Sequence, residues 1–262
     1  HRTSPTNMGL YLLSTLVARD VGWLGTLDAT ERLEATLATM NRLELFRGHF
    51  YNWYDTRTLR PLDPRYVSSV DSGNLAGHLL VLGNECRELI QQCPLEGDLF
   101  VGVDDALRLL REALAEIPGQ GQTHTVTRKQ LSQAVDVLAM GLQSRPADVL
   151  GWTSRVRQLI TSARTVADMA QAFSQERAEG QEGELRIWAD AVRACVESHL
   201  RDVELLLPWV RLGPKDLAAM FDHQSGPAPE WSAIASFFHP IPTLAAAPER
   251  FVEALRALQR VR

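Results

Sequence analysis

Cysteine is scarce in this sequence, which has three cysteines, Cys86, Cys93 and Cys195, among 262 residues. Their number does not allow a closed set of disulfides, and their spacing is not that of a metal site. We therefore expect reduced thiols and a cytoplasmic location, with no metal and no other cofactor.

The sequence also lacks an excess of basic charge and any long hydrophobic run. Its formal net charge is -5, and its basic residues are interspersed with acids. Such a chain does not broadly attract phosphates, so nucleic acid is not an expected partner. No apolar run reaches the ~18 residues of a membrane-spanning helix, and the N-terminus does not resemble a signal peptide. We therefore expect no membrane span within this chain.

Two common catalytic motifs are missing as well. The glycines at positions 73 and 77 have neither the basic residue nor the preceding parallel strand of a phosphate-binding loop. Ser69 and Ser72 lack the flanking glycines of a hydrolase nucleophile elbow. Nucleotide chemistry and serine hydrolysis are thus not indicated.

Helical periodicity is what the sequence does contain. Ser4 and Pro5 predict the start of a helix that runs to Asp20, with Leu10, Leu13 and Val17 on one face. A second helix is expected to be capped by Thr26 or Asp28, with apolar residues at 33, 37, 40 and 43, and to end at Gly48. A third helix is expected to be capped by Asp71 or Ser72, with Leu75, Leu79 and Leu82 along one side.

The rest of the chain predicts further helices at 103–117, 127–143, 147–178 and 184–207, and a last one from Pro248. No strand alternation is evident, so the predicted fold is all-α. We divide the chain into residues 1–95, a long helical-hairpin scaffold or insertion at 96–212, and short helices at 213–262 that lead into a continuation. Within the second region, core packing is expected for the aromatic residues Trp152, Phe173, Trp188 and Trp209.

The segment from Gly48 to Gly77 is rich in aromatic rings, carboxylates and amides. Its rings are Phe50, Tyr51, Trp53, Tyr54 and Tyr66, and two prolines at 61 and 64 exclude a helix there. Rings stack on sugar faces, while Asp and Asn side chains hydrogen-bond to hydroxyls. This combination is typical of a sugar-binding site.

The first 78 residues resemble a known family. The segments RTSPTN, GLYLLSTLVARDVGW, ERLEATLATMNRLE and GHFYNWYDTRTLRPLDPRYVSSVDSGNLAG look like the opening of the glycoamylase-like, cyclisation region of bacterial cyclic beta-1,2-glucan synthases. The resemblance implies part of an (α/α)6 toroid built from helical hairpins. It also implies a region that closes linear beta-1,2-glucan into a ring by transglycosylation, beside a membrane-embedded glycosyltransferase domain and a phosphorylase-like domain.

The partners implied by this resemblance are beta-1,2-linked glucan and the other domains of a larger polypeptide, located at the cytoplasmic face of the inner membrane. The sequence departs from the family in one respect. The family's module continues into a second half of the toroid, where we expect a catalytic acid in a Ser/Gly/Phe-Glu segment, and this sequence has no such segment. We therefore expect the chain to be half of a catalytic domain and inactive alone.

Two carboxylates are candidates for catalysis, because glycoside chemistry needs a pair of acids at the anomeric centre. Asp55 ends the run from Tyr51, and it either contacts sugar or caps a turn. Asp71 would lie at a helix N-terminus, where the helix dipole favours the ionised carboxylate and therefore a base rather than an acid. Its alternative role is that of a simple helix cap.

Arg2, Asn52, Trp53, Tyr54 and Asn74 are the candidate substrate-binding residues. Trp53 and Tyr54 are expected to face sugar, although one ring of an adjacent pair usually points into the core. The two amides either hydrogen-bond to vicinal hydroxyls or satisfy buried backbone groups. Arg2 has helix capping as its alternative, and the two nearby histidines, at 49 and 78, are expected to be structural.

Two functions remain open from the sequence. The first is a segment of an enzyme that transfers, or alternatively hydrolyses, beta-1,2-glucan linkages. The second is a non-catalytic glucan-binding or scaffolding module. Sugar binding is common to both, so the loop from Gly48 to Gly77 does not distinguish them.

Overall fold

The computed structural model describes residues 1–93, 100–117, 126–143, 149–175, 182–206 and 242–261. In this part of the chain the helices are α1 Pro5–Asp20, α2 Thr26–Met40, α3 Ser69–Leu89, α4 Val101–Glu116, α5 Arg128–Leu142, α6 Val149–Gln175, α7 Glu182–Leu206 and α8 Ala247–Val261. Four strands of two residues each accompany them: β1 Arg2–Thr3, β2 Leu45–Phe46, β3 His49–Phe50 and β4 Tyr54–Asp55. The predicted all-α class is confirmed.

Helix α1 has the predicted bounds but a different buried face. The Ser4 side chain accepts a hydrogen bond from the Asn7 backbone N–H, and Pro5 occupies the first turn. Met8, Leu12 and Leu16 are buried, whereas the predicted face residues Leu10 and Val17 are exposed. Apolar residues surround most of this helix, so periodicity alone selects no face, and packing against α2 and α3 decides it.

Helix α2 ends earlier than predicted. It stops at Met40, and Gly48 lies instead in the turn between β2 and β3, with φ of 85° after Arg47 with φ of 51°. Positive φ at both central residues is the geometry of a tight hairpin turn. Gly48 therefore supplies the left-handed conformation that was expected of it, but to a hairpin rather than to a helix end. The predicted caps Thr26 and Asp28 are both inside α2, which begins after Gly25.

Helix α3 is capped by Ser68 rather than by Asp71 or Ser72. The Ser68 side chain accepts from the Asp71 backbone N–H, so Asp71 lies within the first helical turn. Helices α1 and α3 pack closely: a Cβ atom at Gly9 would lie 2.2 Å from His78 Nδ1. Only a glycine allows this approach of α1 to the middle of α3.

Helices α4 to α7 form a four-helix bundle, in which α4 contacts α5 and α7, and α6 contacts α5 and α7. The region predicted as a helical hairpin is thus a closed bundle, because α4 has an apolar face wide enough for two neighbours. Phe173 is buried in its core, and Trp188 is partly buried against Trp23. The Trp152 side chain, Trp209 and the proposed boundaries at 95 and 212 lie outside what the structure describes.

The bundle is joined to α2 through α7. Asp202 accepts hydrogen bonds from the backbone N–H groups of Thr26 (2.5 Å) and Leu27 (2.9 Å), the first two residues of α2. Ser198 Oγ accepts from the Gly25 backbone N–H at 2.7 Å. A carboxylate from one helix therefore caps the N-terminus of another, in place of the missing local cap.

Candidate functional site

The segment between Leu43 and α3 is folded by short backbone pairings. Strand β4 pairs with β1, with Arg2 opposite Asp55 and Thr3 opposite Tyr54. The Asn52 N–H donates to the Tyr66 carbonyl at 2.9 Å, which holds the start and end of the segment together. These pairings bring the N-terminus of α1, the aromatic segment and the N-terminus of α3 to one place.

Tyr54 anchors this segment from inside. Its ring is fully buried, and its hydroxyl donates to the Glu44 carbonyl at 2.7 Å and accepts from the Tyr51 N–H at 2.8 Å. Burial raises the pKa of this phenol, which keeps it protonated. The expectation that the Tyr54 ring faces sugar is therefore wrong in this structure. Of the adjacent pair Trp53 and Tyr54, it is Tyr54 that fills the core.

Asp71 is the centre of a hydrogen-bonded cluster between the two helix ends. Thr6, in the first turn of α1, donates its hydroxyl to Asp71 Oδ1 at 2.5 Å. Asn74 donates to the Thr6 hydroxyl at 3.2 Å. With the Asn52 amide oriented to satisfy its neighbours, its nitrogen donates to Asp71 Oδ2 at 2.9 Å. Both oxygens of the carboxylate therefore have donors.

Two aromatic residues complete the cluster. In the same orientation the buried Asn52 oxygen accepts from the Tyr66 hydroxyl at 2.6 Å and from Trp53 Nε1. We call these six residues the Asp71 network: Thr6, Asn52, Trp53, Tyr66, Asp71 and Asn74. The guanidinium of Arg2 lies over the Trp53 ring, with Cζ 4.4 Å from the ring centroid.

The ionisation of Asp71 follows from its surroundings. Partial burial by itself raises its pKa, but hydrogen bonds from Thr6, Ser68 and Ser4 outweigh burial and leave the pKa below its ordinary value. Asp71 also lies in the first turn of α3, where the helix dipole favours negative charge. Asp71 is thus an ionised hydrogen-bond acceptor at neutral pH, as the sequence predicted. Because α3 begins earlier than predicted, Asp71 lies in its first turn rather than at its N-cap.

Asp55 has different contacts. Its Oδ1 atom accepts from the backbone N–H groups of Arg57 (2.9 Å) and Thr58 (2.7 Å) and from the Thr58 hydroxyl (3.1 Å). Those three hydrogen bonds, the Thr58 N–H first, lower the pKa of Asp55. This is the turn-capping geometry that was the alternative reading of the sequence. Asp55 and Arg2 also line a cavity of about 620 Å³ between α1 and α2.

The structure brings together four of the predicted residues, Asn52, Trp53, Asp71 and Asn74, with Arg2 stacked on their edge. Sequence reasoning missed Thr6, which appeared there only as part of a helix start. Its position after the Ser4–Pro5 cap shows that it lies in a first turn. Nothing in the sequence shows that this turn faces α3.

In the ranges the structure covers, no group of three His, Cys, Asp or Glu side chains is arranged to hold a metal ion. The helices in those ranges are too short or too polar to cross a membrane.

The fold and site together define an all-α protein with a cluster of aromatic, amide and carboxylate groups at two helix N-termini. No protein-family model matches the chain. The chain is 39% identical, over 203 residues that make up 77% of its length, to the cyclic beta-(1,2)-glucan synthase NdvB of Rhizobium meliloti (strain 1021). The resemblance to cyclic beta-1,2-glucan synthases is thereby confirmed: the chain is similar to a segment of such a synthase. It spans 7% of the length of that relative.

Proposed function

We propose that this chain is the N-terminal half of a glycoamylase-like domain that cyclises linear beta-1,2-glucan by transglycosylation, as part of a larger synthase. The observation that carries the proposal is the convergence of Asn52, Trp53, Asp71 and Asn74 into one hydrogen-bonded network. Amide and carboxylate groups beside an indole ring suit a pyranose and its vicinal hydroxyls. The similarity to NdvB supports glucan as the ligand.

Asp71 acts in this proposal as an acceptor for a sugar hydroxyl. In cyclisation a hydroxyl of the glucan replaces another sugar at the anomeric carbon: the new bond forms as the hydroxyl loses its proton, and the old glycosidic bond breaks as the departing sugar oxygen takes a proton. An ionised carboxylate with a lowered pKa is suited to receive or orient that hydroxyl, and unsuited to protonate a leaving group. We assign the general acid to the expected second half of the toroid, outside this chain, and therefore expect the chain alone to be inactive.

The other predicted residues have supporting roles. Arg2 holds the Trp53 ring by stacking on it, and Tyr54 fixes the segment from the core. Asp55 shapes the turn that leads to Leu59. We assign the first helices to part of an (α/α)6 toroid and residues 96–212 to an inserted scaffold. We place the whole protein at the cytoplasmic face of the inner membrane, an assignment supported by a cysteine number that does not allow a closed set of disulfides.

A non-catalytic glucan-binding or scaffolding module is the second candidate. The observation that favours it is that both Asp71 oxygens already accept hydrogen bonds from the protein. A carboxylate occupied in this way holds two helices together without reacting. Hydrolysis of beta-1,2-glucan, with water in place of the sugar hydroxyl, is a variant of the enzymatic reading.

Binding of linear beta-1,2-glucan to the chain, measured by calorimetry, tests the site. We expect Asp71→Asn to weaken binding about tenfold or more, because a charge-assisted hydrogen bond contributes roughly 1.5–3 kcal/mol. Asp63→Asn is the matched control, since Asp63 is in the same segment and its side chain is 90% exposed. Equal affinities of the two variants, with helical content unchanged, would refute the placement of the site.

Product analysis tests the reaction. Linear beta-1,2-glucan is incubated with this chain and, separately, with a longer polypeptide that includes the expected second half of the toroid. Ring products from the longer polypeptide alone are the expected result. Rings from this chain by itself would contradict an acid outside it, and shorter linear products would favour hydrolysis. Binding without any new product from either protein would favour the scaffold module.

A further inference from the structure

The cavity between α1 and α2 is a feature that the Asp71 network does not use. It has a volume of about 620 Å³, and its walls are α1, α2, β1 and the turn after β4. Pockets for organic ligands measure roughly 300–1,000 Å³, so the space is sufficient for a ligand larger than one sugar ring. Met8 and Met40, both buried, are among the apolar residues that line it.

The lining has the composition of a sugar site. Tyr11 lies at the cavity and is 47% exposed, so its ring is free to stack on a sugar face. Asn7, Thr36 and Arg32 place an amide, a hydroxyl and a guanidinium along α1 and α2. Asp55 lines the opposite side and uses its Oδ1 atom in the turn.

Charge argues against an anionic occupant. The lining contains two guanidinium groups, that of Arg2, which also stacks on Trp53, and that of Arg32, which interacts electrostatically with Asp28. Two such groups would by themselves suit a phosphate. The Asp55 carboxylate in the same lining opposes an anion, whereas it accepts hydrogen bonds from hydroxyls readily. A neutral polyol uses donors and acceptors together.

The cavity and the Asp71 network meet at the start of α1. Arg2 lines the cavity and also stacks on Trp53 of the network. Asn7 lines the cavity, and its neighbour Thr6 donates to Asp71. A single extended ligand can therefore contact both places.

We propose that this cavity is a second sugar-binding site, which holds further glucosyl units of the same beta-1,2-glucan chain that reaches the Asp71 network. The inference rests on the proposed function, because it takes its ligand class from it. The Tyr11 ring stacks on one pyranose face, and Asn7, Arg32 and Thr36 bind its hydroxyls. The cavity thus extends the contact with the glucan along α1.

Calorimetric titration of the chain with the linear beta-1,2-linked hexasaccharide and disaccharide tests the inference. We expect Tyr11→Ala to weaken hexasaccharide binding about tenfold, because the variant loses the ring face on which a pyranose stacks. The preference for the hexasaccharide over the disaccharide should shrink by the same factor. Phe46→Ala is the matched control, because Phe46 is 49% exposed and does not line the cavity.

The outcomes separate this inference from the function on which it rests. Binding that is weakened by Asp71→Asn but not by Tyr11→Ala overturns the second site and leaves the proposed function intact. Binding unaffected by both variants overturns both proposals, as does the absence of binding to the unaltered chain. Inorganic phosphate that binds with Arg32-dependent affinity and displaces the hexasaccharide would show an anion site and would also overturn the inference. Circular dichroism confirms that each variant is folded.

Discussion

Helices α3 and α4 show how differently the two regions of this molecule are stabilised. Helix α3 has 21 residues, of which Leu75 and Leu82 are buried. Helix α4 has 16 residues and buries seven, including Val103, Leu107 and Leu110. Apolar residues on α3 are exposed instead, Leu80 at 72% and Val70 at 70%.

This difference separates a scaffold from a site. The bundle of α4 to α7 is held by a continuous apolar core, which needs no special residues. The first region has a smaller core and depends on directed hydrogen bonds, those of Asp71, Asn52 and Tyr54. Buried polar groups are costly when they are left unpaired, so this region depends on the completeness of its hydrogen bonds.

The largest effect is expected from truncation of the bundle core. Leu110 is fully buried in α4, so Leu110→Ala should lower the free energy of unfolding by about 2–5 kcal/mol through lost burial and a new cavity. Leu80→Ala on α3 should change it by less than about 0.5 kcal/mol. Urea denaturation measures both. Similar losses for the two variants would show that α3 is as well packed as α4, which would contradict the proposed difference between the two regions.

The second largest effect is expected where α7 contacts the start of α2 and so connects the two regions. Asp202→Ala removes the acceptor for two backbone N–H groups at the start of α2, and we expect a loss of about 1–3 kcal/mol in the free energy of unfolding. Asp190→Ala, on the same helix with a side chain 55% exposed, is the control and should have little effect. If both variants unfold at the same urea concentration, Asp202 does not stabilise the contact between α7 and α2.

A smaller effect on the free energy of unfolding is expected when the pH is lowered. Burial lowers the pKa of His199, whose Nε2–H donates to the Gly22 carbonyl at 2.8 Å. A histidine with a lowered folded-state pKa contributes stability above its unfolded pKa of about 6.5, and this contribution is lost as the pH falls below that value. The loss from His199 is at most about 1.4 kcal/mol per pH unit.

Other groups near His199 titrate as well. Burial raises the pKa of Asp202, so its contribution has the opposite sign and declines as the pH rises from about 3.8. Burial also acts to raise the pKa of Asp28, but hydrogen bonds from Ser198 and Arg201 lower it overall. Urea denaturation between pH 7 and 5 should show a smaller loss in His199→Gln than in the unaltered chain. His49→Gln, at an exposed hairpin position, should show the full loss, and identical slopes for all three proteins would contradict the assignment.

The parts of the fold that were predictable are those set by neighbouring residues. The bounds of α1 follow from Ser4, Pro5 and the composition of the next four turns. Asn52, Trp53, Asp71 and Asn74 were identified as site candidates from residue type alone. The hydrogen bond that unites them with α1, from Thr6 to Asp71, spans 65 positions, and no local pattern encodes it.

The errors have the same origin. Tyr54 and Trp53 are adjacent, and only the packing of the segment on α1 and α2 decides which ring is buried. Helix α2 was given a local cap, whereas Asp202 provides it from 176 positions away. Ser4 and Ser68 cap α1 and α3 locally, whereas the cap of α2 comes from a distant helix, which no local pattern can predict.

The smallest effect is expected from substitution of Asp55. It tests whether the first region depends on directed hydrogen bonds. Asp55→Asn keeps an oxygen that accepts from Arg57 and Thr58, so the melting temperature should stay unchanged at neutral pH. Asp55→Ala removes all three hydrogen bonds of the turn and should lower it measurably, though by less than Leu110→Ala or Asp202→Ala does. Because the pKa of Asp55 is lowered, its contribution is present above about pH 3.8 and is lost as the pH falls through the folded-state value. A melting temperature in Asp55→Ala equal to that of Asp55→Asn would show that the turn is held by the backbone alone.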